Sequence, residues 1–301
     1  MTTPVHYLIR HVTTYQYHAA VAICHNQLRM LPRSFLHVPE FCSEVSIDPV
    51  PSWQARHVDY YGNDVLTFAI EAPHRRLQVR VASDVAVNEP VLPPNPCVPW
   101  QQVKTELATA ATPLTLAARE FVFPSPLVPV REAFARYAQH SFDKHQDFVQ
   151  AVTDLTQRIH TDFRYDSRAT NIDTDAVAAY ELRAGVCQDF AHFQIGCLRS
   201  LGLAARYVSG YLRTIPQPGK ERLIGADESH AWVSVFAGEA LGWIHFDPTN
   251  ACLVQTDHIP FCIGRDYRDV SPMRGVALGG GQTSLTVSVD VAVRDSPPTS
   301  V

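Results

Sequence analysis

The sequence predicts an α+β protein, with a β-sandwich-like N-terminal module followed by a core of helices packed on an antiparallel sheet. Three observations predict it. Residues 1–88 break into short segments rich in Val, Ile and aromatics, separated by proline- or glycine-bearing turns. A proline-rich stretch follows. Beyond it, apolar residues recur first at helical spacing and then in strand-length runs.

In chain order, His6–Val12, Ala20–Leu31, Phe41–Asp48, Trp53–Tyr60, Asp64–Ile70 and Leu77–Val87 read as strands. The breaks between them include Pro32-Arg33-Ser34, Pro49-Val50-Pro51 and Tyr61-Gly62-Asn63-Asp64. Pro90, Pro93, Pro94, Pro96 and Pro99 exclude a helix interior or a central strand, so residues 89–128 are expected to connect two units. Pro129–Gln139 and Gln146–Thr161 have helical spacing. In the second, Phe148, Ala151, Val152, Leu155 and Ile159 share one face. Asp175–Arg183 is a short helix with Thr174 as expected N-cap, and Gly185–Leu201 a longer one that stops at Gly202. Ala204–Arg213, His230–Phe236 and Gly242–Asp247 are strands, with a polar loop Ile215–Gly225 between the first two. Residues 129–275 form the expected core, and 276–301 a separate strand and tail. Gly279-Gly280-Gly281 reads as a turn. Leu285, Val287, Val289, Val291 and Val293 alternate with smaller or polar residues as in a half-buried strand, and Asp295–Val301 as a fraying end.

Composition narrows the class. Of 301 residues, 46% are apolar and 18% charged, a globular balance. A net charge of −5 gives no footprint for nucleic acid and no polybasic membrane anchor. Residues Met1–Arg10 lack a signal-peptide pattern, and no stretch approaches the roughly 20 apolar residues of a membrane span, so the expected location is the cytoplasm. The cysteines are Cys24, Cys42, Cys97, Cys187, Cys197, Cys252 and Cys262. Their number is odd and no C-x-x-C pair occurs, which argues against a disulfide framework or a zinc site.

The segment Gly185-Val186-Cys187-Gln188-Asp189-Phe190-Ala191-His192 places a cysteine in the first turn of a helix. Free N–H groups and the helix dipole favour a thiolate there, and the same N–H groups suit an oxyanion. Cys197, near the opposite end, has no such advantage. A cysteine nucleophile needs a base, and the base a partner that orients it. His230 begins one strand and Asp247 ends the next, seventeen residues later. Antiparallel pairing would bring both to one sheet edge. His192 points to another side of the helix than Cys187. His245 shares a strand face with Asp247 and is the second-choice base. His11, His18 and His25 have no ligand spacing, so no metal is assigned. No G-x-S-x-G, P-loop or H-E-x-x-H occurs.

Three segments in this order, Gly185-Val186-Cys187-Gln188-Asp189-Phe190, Ser229-His230-Ala231-Trp232-Val233 and Phe246-Asp247-Pro248-Thr249-Asn250, resemble the core motifs of the transglutaminase-like superfamily. Ala204–Leu212 resembles the strand between the first two. Residues 1–88 resemble the β-rich domain that precedes this core in bacterial members, and Gly264–Pro272 with Gly275 resembles their C-terminal portion. The resemblance implies a papain-like, transglutaminase-like core with Cys187, His230 and Asp247 as catalytic triad and a thioester intermediate. It implies a protein or peptide substrate and no cofactor. No EF-hand-like loop occurs, so no calcium is assigned. The Cys187 N–H is one expected oxyanion donor, with Gln188, Tyr165 and Tyr207 as candidates for the second. Trp232 and Trp243 either wall an acyl channel or pack. A peptidase or amidase is the first reading, a protein-glutamine transglutaminase the second, and a non-catalytic binding module the third. The sequence carries no signal for an oligomeric state.

Overall fold

The computed structural model describes residues 4–33, 38, 40–90, 97–214 and 229–294. Pro93, Pro94, Pro96, the loop Ile215–Gly225 and the end Asp295–Val301 lie outside the described residues.

The chain begins with β1 (Val5–Leu28), β2 (Glu40–Asp48), β3 (Trp53–Val58), β4 (Asp64–Ile70) and β5 (His74–Val87). β1 is one strand where the sequence suggested two. Its middle, Thr13-Thr14-Tyr15-Gln16-Tyr17, is β-prone and holds neither Gly nor Pro, so the chain bends without breaking. The register against β5 shifts between Gln16 and Val21, which marks the bend. Ahead of it β1 pairs with β5, and β5 with β2. After it β1 pairs with β4, and β4 with β3. The expected sandwich is thus a single antiparallel sheet folded over a shared strand. Its two halves close on one apolar cluster that includes Leu28, Phe68, Leu77 and Val79.

Residues expected to be a connector turn helical. α1 (Trp100–Thr109) and α2 (Pro113–Arg119) are followed by a 3-10 turn, Glu120–Val122. Thr112 caps α2 by accepting the Thr115 N–H, and Pro113 takes the first helical position, where its missing N–H costs nothing. Val103, Leu107 and Ala118 are buried in the main core, so this stretch belongs to the packed body.

Next come α3 (Glu132–Lys144), α4 (Phe148–Asp162), β6 (Arg164–Tyr165), α5 (Ala176–Leu182), β7 (Ala184–Gly185) and α6 (Cys187–Ser200). Every residue of α6 from Gln188 to Arg199 is buried. A helix buried all round is central, and α6 lies between β9 and the helices α3, α4 and α5. The core sheet contains β8 (Ala205–Leu212), β9 (Ser229–Phe236), β10 (Trp243–Asp247), β11 (Cys252–Leu253) and β12 (His258–Gly264), in the antiparallel order β11-β10-β9-β8-β12.

The chain closes with α7 (Tyr267–Val270), β13 (Met273–Gly279) and β14 (Thr283–Arg294). β13 and β14 are not a separate tail. Both run antiparallel to β1 along its open side, Val21–Leu28 against β13 and His6–Tyr17 against β14. Gly279, Gly280 and Gly281 have positive φ and do not reverse the chain. They bend it to follow β1. Val289 and Val291 are buried as alternation predicts, whereas Leu285 is 54% and Val287 49% exposed. The two units share a core: Tyr7, Ile9, Val85 and Val289 pack with Leu107, Phe261 and the helices. Buried polar contacts tie them further. His11 meets the Tyr211 hydroxyl at 2.7 Å, and the Asn63 amide both donates to and accepts from the Ile263 backbone.

Candidate active site

The start of α6 is set by four residues. Val186 is extended, and its N–H is accepted by the Asp189 carboxylate at 2.8 Å. The Thr170 hydroxyl donates to the same oxygen at 2.6 Å. A Cβ on Gly185 would lie 2.3 Å from that oxygen, so glycine is required for the carboxylate to fold back. Burial pushes the Asp189 carboxyl up, against the pull of these bonds. Cys187 is then the first residue of the helix, half-buried and free. Among the described residues, the backbone N–H groups of Cys187 and Gln188 have no acceptor, as expected of a helix first turn.

β9 and β10 pair with Phe246 opposite Val233, which brings the start of β9 beside the end of β10. There His230 Nε2 lies 2.8 Å from Asp247 Oδ2. Nε2 is thereby used by Asp247, and the Cys187 side chain is the ring's second hydrogen-bond partner. Burial by itself would lower the His230 pKa. Hydrogen bonds and charge from Asp247 and Cys187 overcome this and raise it to about 10. Asp247 is fully buried. Burial alone would raise its carboxyl, but donors hold it far below the usual carboxylate range. These are His230, His258 and the Asn250 amide on Oδ2, with the Thr249 and Asn250 N–H groups on Oδ1.

The other sequence candidates separate. The Tyr207 ring is 2% exposed and 5.0 Å from that of His192. Burial, with the neighbouring Cys187 charge behind it, pushes its phenol well above the usual value. Its hydroxyl has no hydrogen-bond partner among the described residues. Gln188 is committed elsewhere, its amide donating to Ile172 O at 3.2 Å. Tyr165 pairs with Gly185 across β6 and β7 and is 52% exposed. Both tryptophans are packed against neighbours. Trp232 is fully buried, its indole N–H on His245 Nδ1 at 3.1 Å and its ring edge-on to His258. Trp243 begins β10, about 13 Å of strand away from Asp247, where it packs on Phe121, Phe236 and the Arg206 guanidinium. His245 is therefore a packing partner and not a base. His192 is buried, accepts the Tyr267 N–H at 3.1 Å, and is lowered to about 4 by that burial.

The sequence reading missed His258. Ligand atoms of His230, Asp247 and His258 lie within 4.8 Å of one another, close enough to hold a metal ion. The 2.8 and 3.0 Å separations are those of hydrogen bonds to one carboxylate oxygen. No local pattern marks His258, because β10 and β12 are not neighbours in the sheet.

A cysteine at a helix tip, set against a histidine and an aspartate on adjacent antiparallel strands, defines a transglutaminase-like core. Comparison with known proteins agrees. Residues 135–248 match the transglutaminase-like superfamily model, and residues 7–86 match the bacterial transglutaminase-like N-terminal region. The Mycobacterium tuberculosis protein Rv2569c is 39% identical, over 95% of this chain and 92% of its own length. The Mycobacterium leprae protein ML0607 is 31% identical, over 93% and 96%. A crystal structure from Cytophaga hutchinsonii, named as a candidate cysteine protease, has the same fold. It has a TM-score of 0.77 at 20% identity and covers 99% of this chain and 93% of that one. The chain belongs to the transglutaminase-like superfamily. Among the described residues, no helix is long and apolar enough to cross a membrane.

Proposed function

We propose that this chain is a cysteine-dependent enzyme acting on amide bonds of proteins or peptides, with water as acceptor. One observation supports the reading: the His230 imidazole bonds Asp247 through Nε2 and has the Cys187 side chain as its other hydrogen-bond partner. Sγ of Cys187 attacks the amide carbonyl, and His230 takes or already holds the thiol proton. The C–N bond then breaks, the proton passes from His230 to the leaving nitrogen, and a thioester remains. Water, deprotonated by His230, releases the acid and the thiol. The oxyanion meets the Cys187 N–H, with Tyr207 the favoured second donor because its hydroxyl is uncommitted and near the thiol. The Gln188 side chain is disfavoured by its bond to Ile172. The name of the Cytophaga hutchinsonii neighbour agrees with hydrolysis, although the likeness is one of fold.

The test has two parts. Iodoacetamide should label Cys187 far faster than the other thiols near neutral pH. Incubation with glutamine-bearing peptides and a labelled primary amine should then give ammonia or new N-termini without label. Label in the peptide would make the acceptor an amine and the enzyme a transglutaminase. Uniformly slow thiols would end the catalytic reading.

A further inference from the structure

The Asp247 carboxylate serves two imidazoles, and the mechanism above uses one of them. His258 Nε2 lies 3.0 Å from the same Oδ2 that His230 meets at 2.8 Å. The ring is 4% exposed. Its Nδ1 faces the Gln255 backbone N–H at 3.4 Å, so Nδ1 accepts and the hydrogen sits on Nε2, aimed at the carboxylate. Trp232 packs edge-on against it, with ring centroids 5.4 Å apart, and is itself pinned by its bond to His245. The tautomer and the direction of the N–H are therefore both set by neighbours.

A carboxylate offers about four lone-pair sites, and this one has five donors. Three of them, from His230, His258 and Asn250, converge on Oδ2. Donors on one oxygen divide its charge, so whatever His258 draws is withheld from His230. The titratable groups around the His230 ring, among the described residues, are Cys187 on α6, Asp247 on β10 and His258 on β12. Cys252 on β11 stands beside Asp247. Of these, His258 alone can weaken the grip of the carboxylate without adding a charge to the thiol side.

We infer that His258 is a positioning residue that limits how tightly Asp247 holds the protonated His230 ring. A ring held too tightly cannot return its proton to a leaving amine. The inference rests on the proposed triad.

The experiment is the pH–rate profile for iodoacetamide labelling of Cys187, whose upper inflection reports loss of the His230 proton. In His258→Leu the inflection should rise by about half a pH unit or more, roughly a threefold change in the dissociation constant. His258→Gln keeps an N–H within reach of Oδ2 and should restore it. An inflection that stays or falls in the Leu variant overturns the inference while leaving the triad intact. A parent chain without a fast thiol at position 187 removes the triad and the inference together. Should the Leu variant fail to fold, 15N NMR of the parent decides. A His258 ring with its hydrogen on Nε2 supports the assignment, and one with its hydrogen on Nδ1 overturns it.

Discussion

Cys187 and Cys197 stand ten residues apart on α6, and nothing in their covalent chemistry separates them. Cys187 opens the helix, where the first N–H groups have no acceptor among the described residues and His230 lies alongside. Cys197 is fully buried, and that burial pushes its thiol well above the usual range although Arg158 and Arg183 pull the other way. The difference extends to the helix ends. The first turn favours negative charge. The last turn favours a cation, and Arg199 supplies one. Its guanidinium is 2% exposed and donates to the carbonyls of Phe121, Ala205 and Arg265 and to the Ser125 hydroxyl. One helix thus offers its two poles to different tasks, the proposed reaction at one end and cross-bracing at the other.

Four substitutions test that contrast. Cys187→Ala should abolish the fast-labelling thiol and cut amide cleavage by about 10,000-fold or more, with unfolding by urea little changed. Next is Asp247→Asn. Without the carboxylate charge, the His230 pKa falls from about 10 toward 6.5. Labelling profiles should show the upper inflection moving down, and cleavage should drop by roughly 1,000-fold. In the parent, a raised imidazole stabilises the fold fully below about pH 6.5 and loses that effect as pH rises through about 10. The depressed Asp247 carboxyl contributes above the usual carboxylate range and loses its effect as pH falls. Thermal unfolding of the Asn variant should accordingly lose most of this pH dependence. Arg199→Met strands the carbonyls of Phe121, Ala205 and Arg265, so urea titration should register a loss of about 3 kcal/mol. The labelling rate of Cys187 in the folded fraction should not change. Cys197→Ala should cost about 1 kcal/mol by the same titration and leave both labelling and cleavage alone. A fast phase that vanished with Cys197 would reverse the assignment of the two poles.

The grouping of Cys187, His230 and Asp247 was legible in the sequence for a local reason. A glycine before a helix-starting cysteine, a histidine opening a strand and an aspartate ending the next are each written within a few residues. What brings them together is simple antiparallel pairing of neighbouring strands. His258 was not legible, because its contact with Asp247 depends on where the chain returns after β11. The role of the tryptophans stayed open between wall and packing, because an aromatic beside a site residue in sequence says nothing about which side of the sheet it packs on. Between residues 89 and 128 the prolines dominated the reading. Thr112-Pro113 is itself a helix-start signal, and it marked α2 all the same. β1 read as two strands because its middle, Thr13-Thr14-Tyr15-Gln16-Tyr17, lacks Val and Ile, and no local pattern tells a bent strand from a break.

That long strand also orders events on the ribosome. β1 leaves the ribosome well before β13 and β14, which cover its outer side. Throughout synthesis of the helices and the five-stranded sheet, a strand of 24 residues keeps one row of backbone groups open to any passing chain. Until residues 283–294 pair with it, the outer edge of β1 is the kind of open strand edge that invites pairing with other chains.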